Sequence, residues 1–350
     1  MLKKFLIGLV IIAAIVLAIV ARFFLGNTPF DEKAKYLYVY TGKSSTEHVM
    51  KTIRDENLVR NPKSFKLLAD QMHVWRTLKP GRYKISKGMS LFEIGRMLRN
   101  SRQDPVNLVI TKLRTKENLA SLVGRKFEAD STTFIAFLNN NDSLKTYNLD
   151  TNTVMTAIFP NTYTYLWTTT PEGIFKKLYA EYNKVWNEER KRKADSLGLN
   201  PTTAYILASI VEEETTYDEE KGLMASVYLN RLAKNIQLGA DPTVKFALRN
   251  FALKRIYEKH LAVESPYNTY RNRGLPPGPI CTPSLKTLDH VLSAPKTDYL
   301  FFVAKKDFTQ GHVFTSNYRE HLKYAREYQQ ALNAQQLLKQ KKANEEVGND

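Results

Sequence analysis

Three consecutive glutamates, Glu212, Glu213 and Glu214, close an apolar run in "SIVEEETTYDEE" (209–220), and three more acids follow within six residues. A carboxylic acid held away from water keeps its proton to higher pH, because burial disfavours the charged form. Neighbouring negative charges act in the same direction. A proton kept near neutral pH can be delivered to a leaving oxygen, which is general acid catalysis. The competing reading of the cluster is a solvated helix end whose acids pair with surface lysines.

Which of the three acids is held in an apolar setting depends on the helix that carries them. "NPTTAYILASIVEEET" begins with Asn200 as a candidate N-cap and Pro201 at the first helical position. At 100° per residue, Ala204, Leu207, Ala208 and Val211 fall on one stripe. Glu214 lies three residues after Val211 and seven after Leu207, at the edge of that stripe. Glu213 is expected to point almost opposite, into solvent, and Glu212 to lie well off the stripe on the other flank. Glu214 is therefore the candidate acid.

Other polar residues that could line a cleft follow it. Asn230 stands where an apolar helix ends in "NR", Gln237 comes next, and "ADPTV" presents Asp241 and Thr243. Asp241 before Pro242 also reads as a plain N-cap. Tyr267, Asn268 and Tyr270 sit in "YNTY", where tyrosines could stack on a sugar ring and the polar groups hydrogen-bond to it. "GLPPGPI" (274–280) is a loop stiffened by two prolines. The six histidines are scattered without a second ligand at metal spacing, and Cys281 is the one cysteine, which excludes an intrachain disulfide.

The chain of 350 residues carries 52 Lys+Arg against 35 Asp+Glu, a net charge of +17, which points to an anionic partner. Phe5 to Ala21 is uncharged and apolar, preceded by Lys3 and Lys4. It reads as a single membrane span with a cytoplasmic N-terminus and the rest of the chain outside, at the inner (cytoplasmic) membrane. A cleaved signal peptide is the alternative, but the run lacks an A-x-A site at its end. Export argues against nucleic acid as the partner and for an acidic wall polymer or anionic lipid headgroups.

The expected organisation is α+β: a transmembrane anchor (1–25), a linker (26–34), a small α+β module (35–105), a larger mixed α+β catalytic domain (106–330) and a polar tail (331–350). In the module, "KYLYVYTG" reads as a strand, 44–59 as a helix, "RYKI" as a second strand after Pro80-Gly81, and "LFEIGRMLRN" as a helix capped by Ser90. This pattern resembles the LysM-like modules that bind glycan; a structural spacer fits it equally. Beyond a strand at 106–113, residues 115–200 read as mostly helical. Within them "FPNTYTYLW" (159–167) reads as a loop and 173–198 as one long charged helix. The tail lacks aromatics and is expected to fray.

Taken in order, "ASIVEEET", "NR", "QLGADPTV", "YNTY", "GLPPGPI" and "HVFTSN" resemble the endolytic murein transglycosylase family, the MltG or YceG-like proteins. The resemblance covers about residues 80 to 325. It implies cleavage of peptidoglycan glycan strands between N-acetylmuramic acid and N-acetylglucosamine, leaving a 1,6-anhydro end and needing no cofactor or metal. The family's catalytic glutamate falls on Glu214. The residues suggested for the surrounding cleft are Asn230, Gln237, Asp241, Thr243, Tyr267, Asn268 and Tyr270. Implied partners are the glycan strands, the cytoplasmic membrane and the machinery of peptidoglycan synthesis. Two readings stay open beside this one: a water-using muramidase with Glu212 or Asp218 as second acid, and a non-enzymatic wall-binding scaffold.

Overall fold

The structure is a computed structural model and describes residues 2–24, 26, 28–309 and 311–347. Helix α1 spans Leu2–Phe24 and contains the apolar run. Leu6, Ile7, Leu9, Val10, Ile11 and Ile12 on it are each more than half exposed. Among the described residues, no helix is long and apolar enough to cross a membrane.

Contacts divide the chain into two compact units. The first runs to Leu108 and takes in Ser121–Phe134 and Tyr163–Ile174, so it is not closed by one cut near residue 105. Its sheet pairs β1 (Ala34–Val39) antiparallel with β2 (Gly81–Ser86), with Leu37 opposite Tyr83. Strand alternation turns Leu37, Val39, Tyr83 and Ile85 into the core. Between the strands lie α2 (Thr46–Asp55), α3 (Pro62–Gln71) and the short α4 (Val74–Thr77). Ser45 caps α2; Asn61 caps α3, with Pro62 at its first position. The sequence reading passed over α3 and α4, although Asn61-Pro62 is a start signal of the same kind as Asn200-Pro201. Helix α5 (Leu91–Arg99) begins, as expected, at Ser90, which forms a reciprocal capping box with Glu93.

Strand β3 (Val106–Ile110) is followed by α6 (Lys116–Gly124), α7 (Ser131–Leu138), α8 (Asn141–Lys145) and a 3₁₀ turn at Val154–Ala157. The expected loop at 159–167 contains a strand instead, β4 (Asn161–Tyr165), paired with β3. Threonine and tyrosine favour a half-buried strand, and Tyr163 and Tyr165 turn inward. The expected single helix at 173–198 is two, α9 (Pro171–Val185) and α10 (Glu188–Ser196). Asn187 breaks the run by accepting the Arg190 amide at 2.9 Å as the N-cap of α10.

The second unit is built around α11 (Pro201–Glu214), capped by Asn200 as the sequence implied. It also holds α8, the 3₁₀ turn and α10, and beyond α11 come α12 (Asp218–Ala233), α13 (Asp241–Ala247), α14 (Glu258–Leu261), α15 (Leu285–Leu292), the hairpin of β5 (Phe301–Ala304) with β6 (His312–Thr315), and α16 (Tyr318–Val347). The predicted stripe Ala204, Leu207, Ala208 and Val211 is buried, but so is every other residue from Ala204 to Val211. The helix is wrapped on several sides by α12, α13 and α15. The tail does not leave helical structure at 331: α16 continues to Val347. Alanine, glutamine, leucine and lysine are strong helix formers, and the lack of aromatics removes tertiary anchors without removing that propensity.

Candidate active site

The proline loop is tied to the buried middle of α11. Ser209 donates to the Ile206 carbonyl at 2.7 Å and accepts the Ile280 amide at 3.0 Å, pinning the end of the proline loop to the helix. In that loop, a Cβ on Gly278 would sit 2.2 Å from the Asn152 carbonyl oxygen, so only glycine fits the approach. The helix stops at Glu214, with Thr215 extended beyond it.

Glu214 is half-buried, and its Oε1 accepts a hydrogen bond from the Tyr228 hydroxyl of α12 at 2.5 Å. Burial pushes its carboxyl up to about 7. The Tyr228 bond opposes that rise, the Asp241 charge adds to it, and Lys245 and Arg231 counter it. An acid of this value is partly protonated at neutral pH, as a general acid must be. Tyr228→Phe removes the donor that favours the carboxylate. The acid is therefore expected to titrate above 7, shifting the alkaline limb of any Glu214-dependent rate upward; a pH–rate profile reads this directly.

Two open cavities meet at this side chain. One, of about 660 Å³, is lined by Glu214, Gln237, Asp241 and Tyr270 together with Arg231 and Ile236. Phe301, Phe302, Tyr318 and His321 form its aromatic wall, with Phe301 and His321 stacked at 5.2 Å between ring centres. The other, of about 430 Å³, is polar, and runs past Lys112, Glu212, Glu213 and Thr215–Tyr217 to Gly311. Of the three glutamates, Glu214 alone lines both.

Four of the eight residues suggested from sequence thus share one cavity: Glu214, Gln237, Asp241 and Tyr270, the last donating to Asp241 Oδ1 at 2.6 Å. Gly239, at φ +60°, lets the backbone turn between Gln237 and Asp241. The other four are placed as structural ties. Asn230 donates to the Thr297 and Tyr299 carbonyls, both at 2.9 Å. Thr243 is buried against Ala240 and Thr269. Asn268 is buried and holds the Leu261 and Val263 carbonyls. Tyr267 packs on Phe246, ring centres 4.6 Å apart.

The other two glutamates differ from expectation. Glu213 does not face solvent: its side chain is 14% exposed and ion-paired to Lys112 at 2.8 Å and Arg114 at 2.9 Å. The face opposite the stripe is covered because α11 is central, which a single-helix projection cannot reveal. Burial raises the Glu213 pKa, but the Lys112 and Arg114 bonds outweigh it and hold the carboxyl below its usual range. That contribution to stability is present above the ordinary carboxylate pKa and is lost as pH falls through the lowered one. Glu213→Gln should therefore cost about 1–3 kcal/mol at pH 7. The loss should shrink below about pH 4 in a melting series.

Glu212 accepts hydrogen bonds from Ser284 and Thr287 and lies 3.6 Å from the buried Lys221 ammonium. Asp218 is bound by Lys221 at 2.8 Å and Lys286 at 2.7 Å, and those bonds bring its carboxyl down to about 2. Neither lines the larger cavity with Glu214.

Sequence reasoning missed Tyr228, Arg231 and the aromatic wall as site residues. Arg231 lay in the quoted "NR" pair, and the paired aromatics of "YLFFVA" were visible but unassigned. The Arg231 guanidinium donates to the Leu300 and Leu238 carbonyls at 2.7 Å each and to Gln237 O at 3.2 Å, and lies over the Phe301 ring. Among the described residues, no three His, Cys, Asp or Glu side chains converge as they would around a metal ion.

Known proteins share this chain's features. The endolytic murein transglycosylase of Bacillus subtilis is 37% identical over 175 residues, 49% of this chain and 47% of that protein. That of Streptococcus pneumoniae serotype 2 is 27% identical over 326 residues, 83% of this chain and 58% of that protein. The chain therefore spans about half the length of these curated relatives. A crystal structure of a yceG-like protein from Listeria monocytogenes superposes with a TM-score of 0.55 at 26% identity, covering 84% of this chain and 99% of that one. The sequence matches the YceG-like family over residues 37–327, which includes α11, the Tyr228 helix and the hairpin that walls the cavity. On that match, and on the fold shared with the Listeria protein, the chain belongs to the YceG-like family.

Proposed function

We propose that this chain is a lytic transglycosylase that cleaves peptidoglycan glycan strands within the chain, with Glu214 as acid and then base. The observation that carries the proposal is the position of Glu214: a carboxyl raised to about 7, at the meeting point of two open cavities. A strand lying through both would present a glycosidic bond at Glu214 with sugars on either side, as internal cleavage requires. The aromatic wall of the larger cavity offers stacking surfaces, and Gln237 and Tyr270 offer polar contacts.

With Oε1 occupied by Tyr228, the proton to be delivered belongs on Oε2. Glu214 protonates the glycosidic oxygen and the bond from muramic C1 breaks. The sugar's own 6-hydroxyl oxygen bonds to C1, and its proton returns to Glu214. No water is consumed, and an intramolecular nucleophile needs no second carboxylate to activate it. Asp241 supports the step by keeping Glu214 protonated and by offering negative charge to an oxocarbenium-like transition state. In a water-using muramidase, Asp241 is the carboxylate placed in the same cavity; Glu212 and Asp218 are committed elsewhere. Mass spectrometry of fragments released from purified peptidoglycan tests the proposal. Anhydro ends, one water lighter than hydrolysis products, are expected, and water-bearing ends would overturn it.

Membrane anchoring and wall-synthesis partners belong to the same proposal. The uncharged run Phe5–Ala21 behind Lys3 and Lys4, with exposed apolar side chains on α1, supports an anchor that holds the bulk of the chain outside the cytoplasm beside the machinery that makes new strands. The strand–helices–strand order of residues 34–86 supports a LysM-like module. On fractionation the mature protein should pellet with membranes. A freely soluble form beginning near residue 22 would remove the anchor.

A further inference from the structure

A third cavity, of about 530 Å³, lies wholly in the first unit, between β2, α5 and the segment that follows α5. It is lined by three cations, Lys84, Arg96 and Arg102, whose side chains make no hydrogen bond or ion pair with the described residues. The two carboxylates beside them are engaged. Asp104 is ion-paired to Arg82, and Glu93 accepts the Ser90 amide and hydroxyl at 2.8 and 2.9 Å, which with the nearby Arg96 charge hold its carboxyl below the usual range. Met89 and Met97 supply half-buried, adaptable apolar surface. Gln103 spends its amide on the Pro80 carbonyl at 3.1 Å, and its Oε1 is packed against Gly81, closed to the cavity.

These groups define the ligand. Three cations without a hydrogen-bonded or ion-paired partner call for more than one negative charge. The methionines call for short aliphatic groups. A neutral glycan fails the first demand, and a phosphate ion fails the second. We propose that this cavity binds a short acidic peptide through its carboxylates. On the reading of the chain as a peptidoglycan enzyme, that peptide is the stem carried by the glycan strand.

Calorimetric titration of the full-length protein in detergent, with a synthetic acidic stem tetrapeptide, tests this. Saturable binding is expected. Arg96→Glu with Arg102→Glu should weaken it about tenfold or more, since two exposed ion pairs are reversed. Amidating the peptide's carboxylates should weaken it similarly. Absence of binding, or binding indifferent both to amidation and to the charge reversals, overturns the proposal. Circular dichroism checks the fold of each variant, and Arg96→Gln with Arg102→Gln provides a milder pair. Glu214→Gln should bind the peptide as the unaltered chain does. Strand cleavage and peptide binding are thus read separately: loss of the first with survival of the second refutes the enzymatic reading alone.

Discussion

Glu214→Gln should lower release of anhydro-ended fragments by about 10³–10⁴-fold, the upper range for loss of general acid catalysis, because one side chain serves both proton transfers. The substitution keeps the shape of the side chain and the Tyr228 contact while removing the titrating proton. A folded variant that retains full activity would remove Glu214 from the mechanism. The same change has an opposite effect on stability. A carboxyl raised from its ordinary range to about 7 favours the folded state fully only below the ordinary value, and that stability is lost as pH rises to about 7. Glu214→Gln is thus expected to melt higher than the unaltered chain at pH 8, by about 1–3 kcal/mol, with the gain vanishing near pH 4. Activity lost while stability rises is the signature of a site whose strain serves its chemistry.

Arg231→Met should be the most damaging change outside the acid itself. The guanidinium bonds to three carbonyls, two at the Gln237–Leu238 turn and one at Leu300, so it joins the two walls of the larger cavity. Methionine fills much of the volume and leaves those carbonyls without that donor, at about 1–3 kcal/mol for each that stays buried. A total loss of about 3–5 kcal/mol is expected in denaturant unfolding. Fragment release should fall about 100-fold, because misplacing the reacting groups by an ångström costs that much. It also removes a positive charge that opposes the raised pKa of Glu214, so the acid should titrate higher. Arg231→Lys should restore the charge but not the fork of donors, and recover stability only in part. If both variants melt and cleave as the unaltered chain does, the cavity walls are held by other contacts.

Much of the local architecture was legible because its causes are local. Asn200-Pro201 and Ser90 are capping arrangements in which a side chain satisfies amides a few residues away, and the structure builds both. The stripe from Ala204 to Val211 and the placing of Glu214 at its edge follow from helical period alone. Strand β4 and the break at Asn187 were not legible. Pairing with β3 decides the first, and a cap inside a continuous charged pattern decides the second.

Among the site residues, sequence alone determined that Glu214 borders an apolar surface, and the order of short motifs determined the family. Tertiary packing decided the rest. Glu213 was assigned to solvent because a projection of one helix has only one buried side; α11 is covered all round, and Lys112 and Arg114 arrive from about 100 residues away to neutralise it. Asn230 and Asn268 carry the same amide as Gln237, and Thr243 carries a hydroxyl as Tyr270 does. The side chains of Asn230, Asn268 and Thr243 are spent on carbonyls and hydroxyls of neighbouring segments, while Gln237 and Tyr270 reach the cavity. Residue type sets what a polar group can bond to. Which partner lies within about 3 Å of it is a property of how distant segments meet, and that is written in no local stretch of chain.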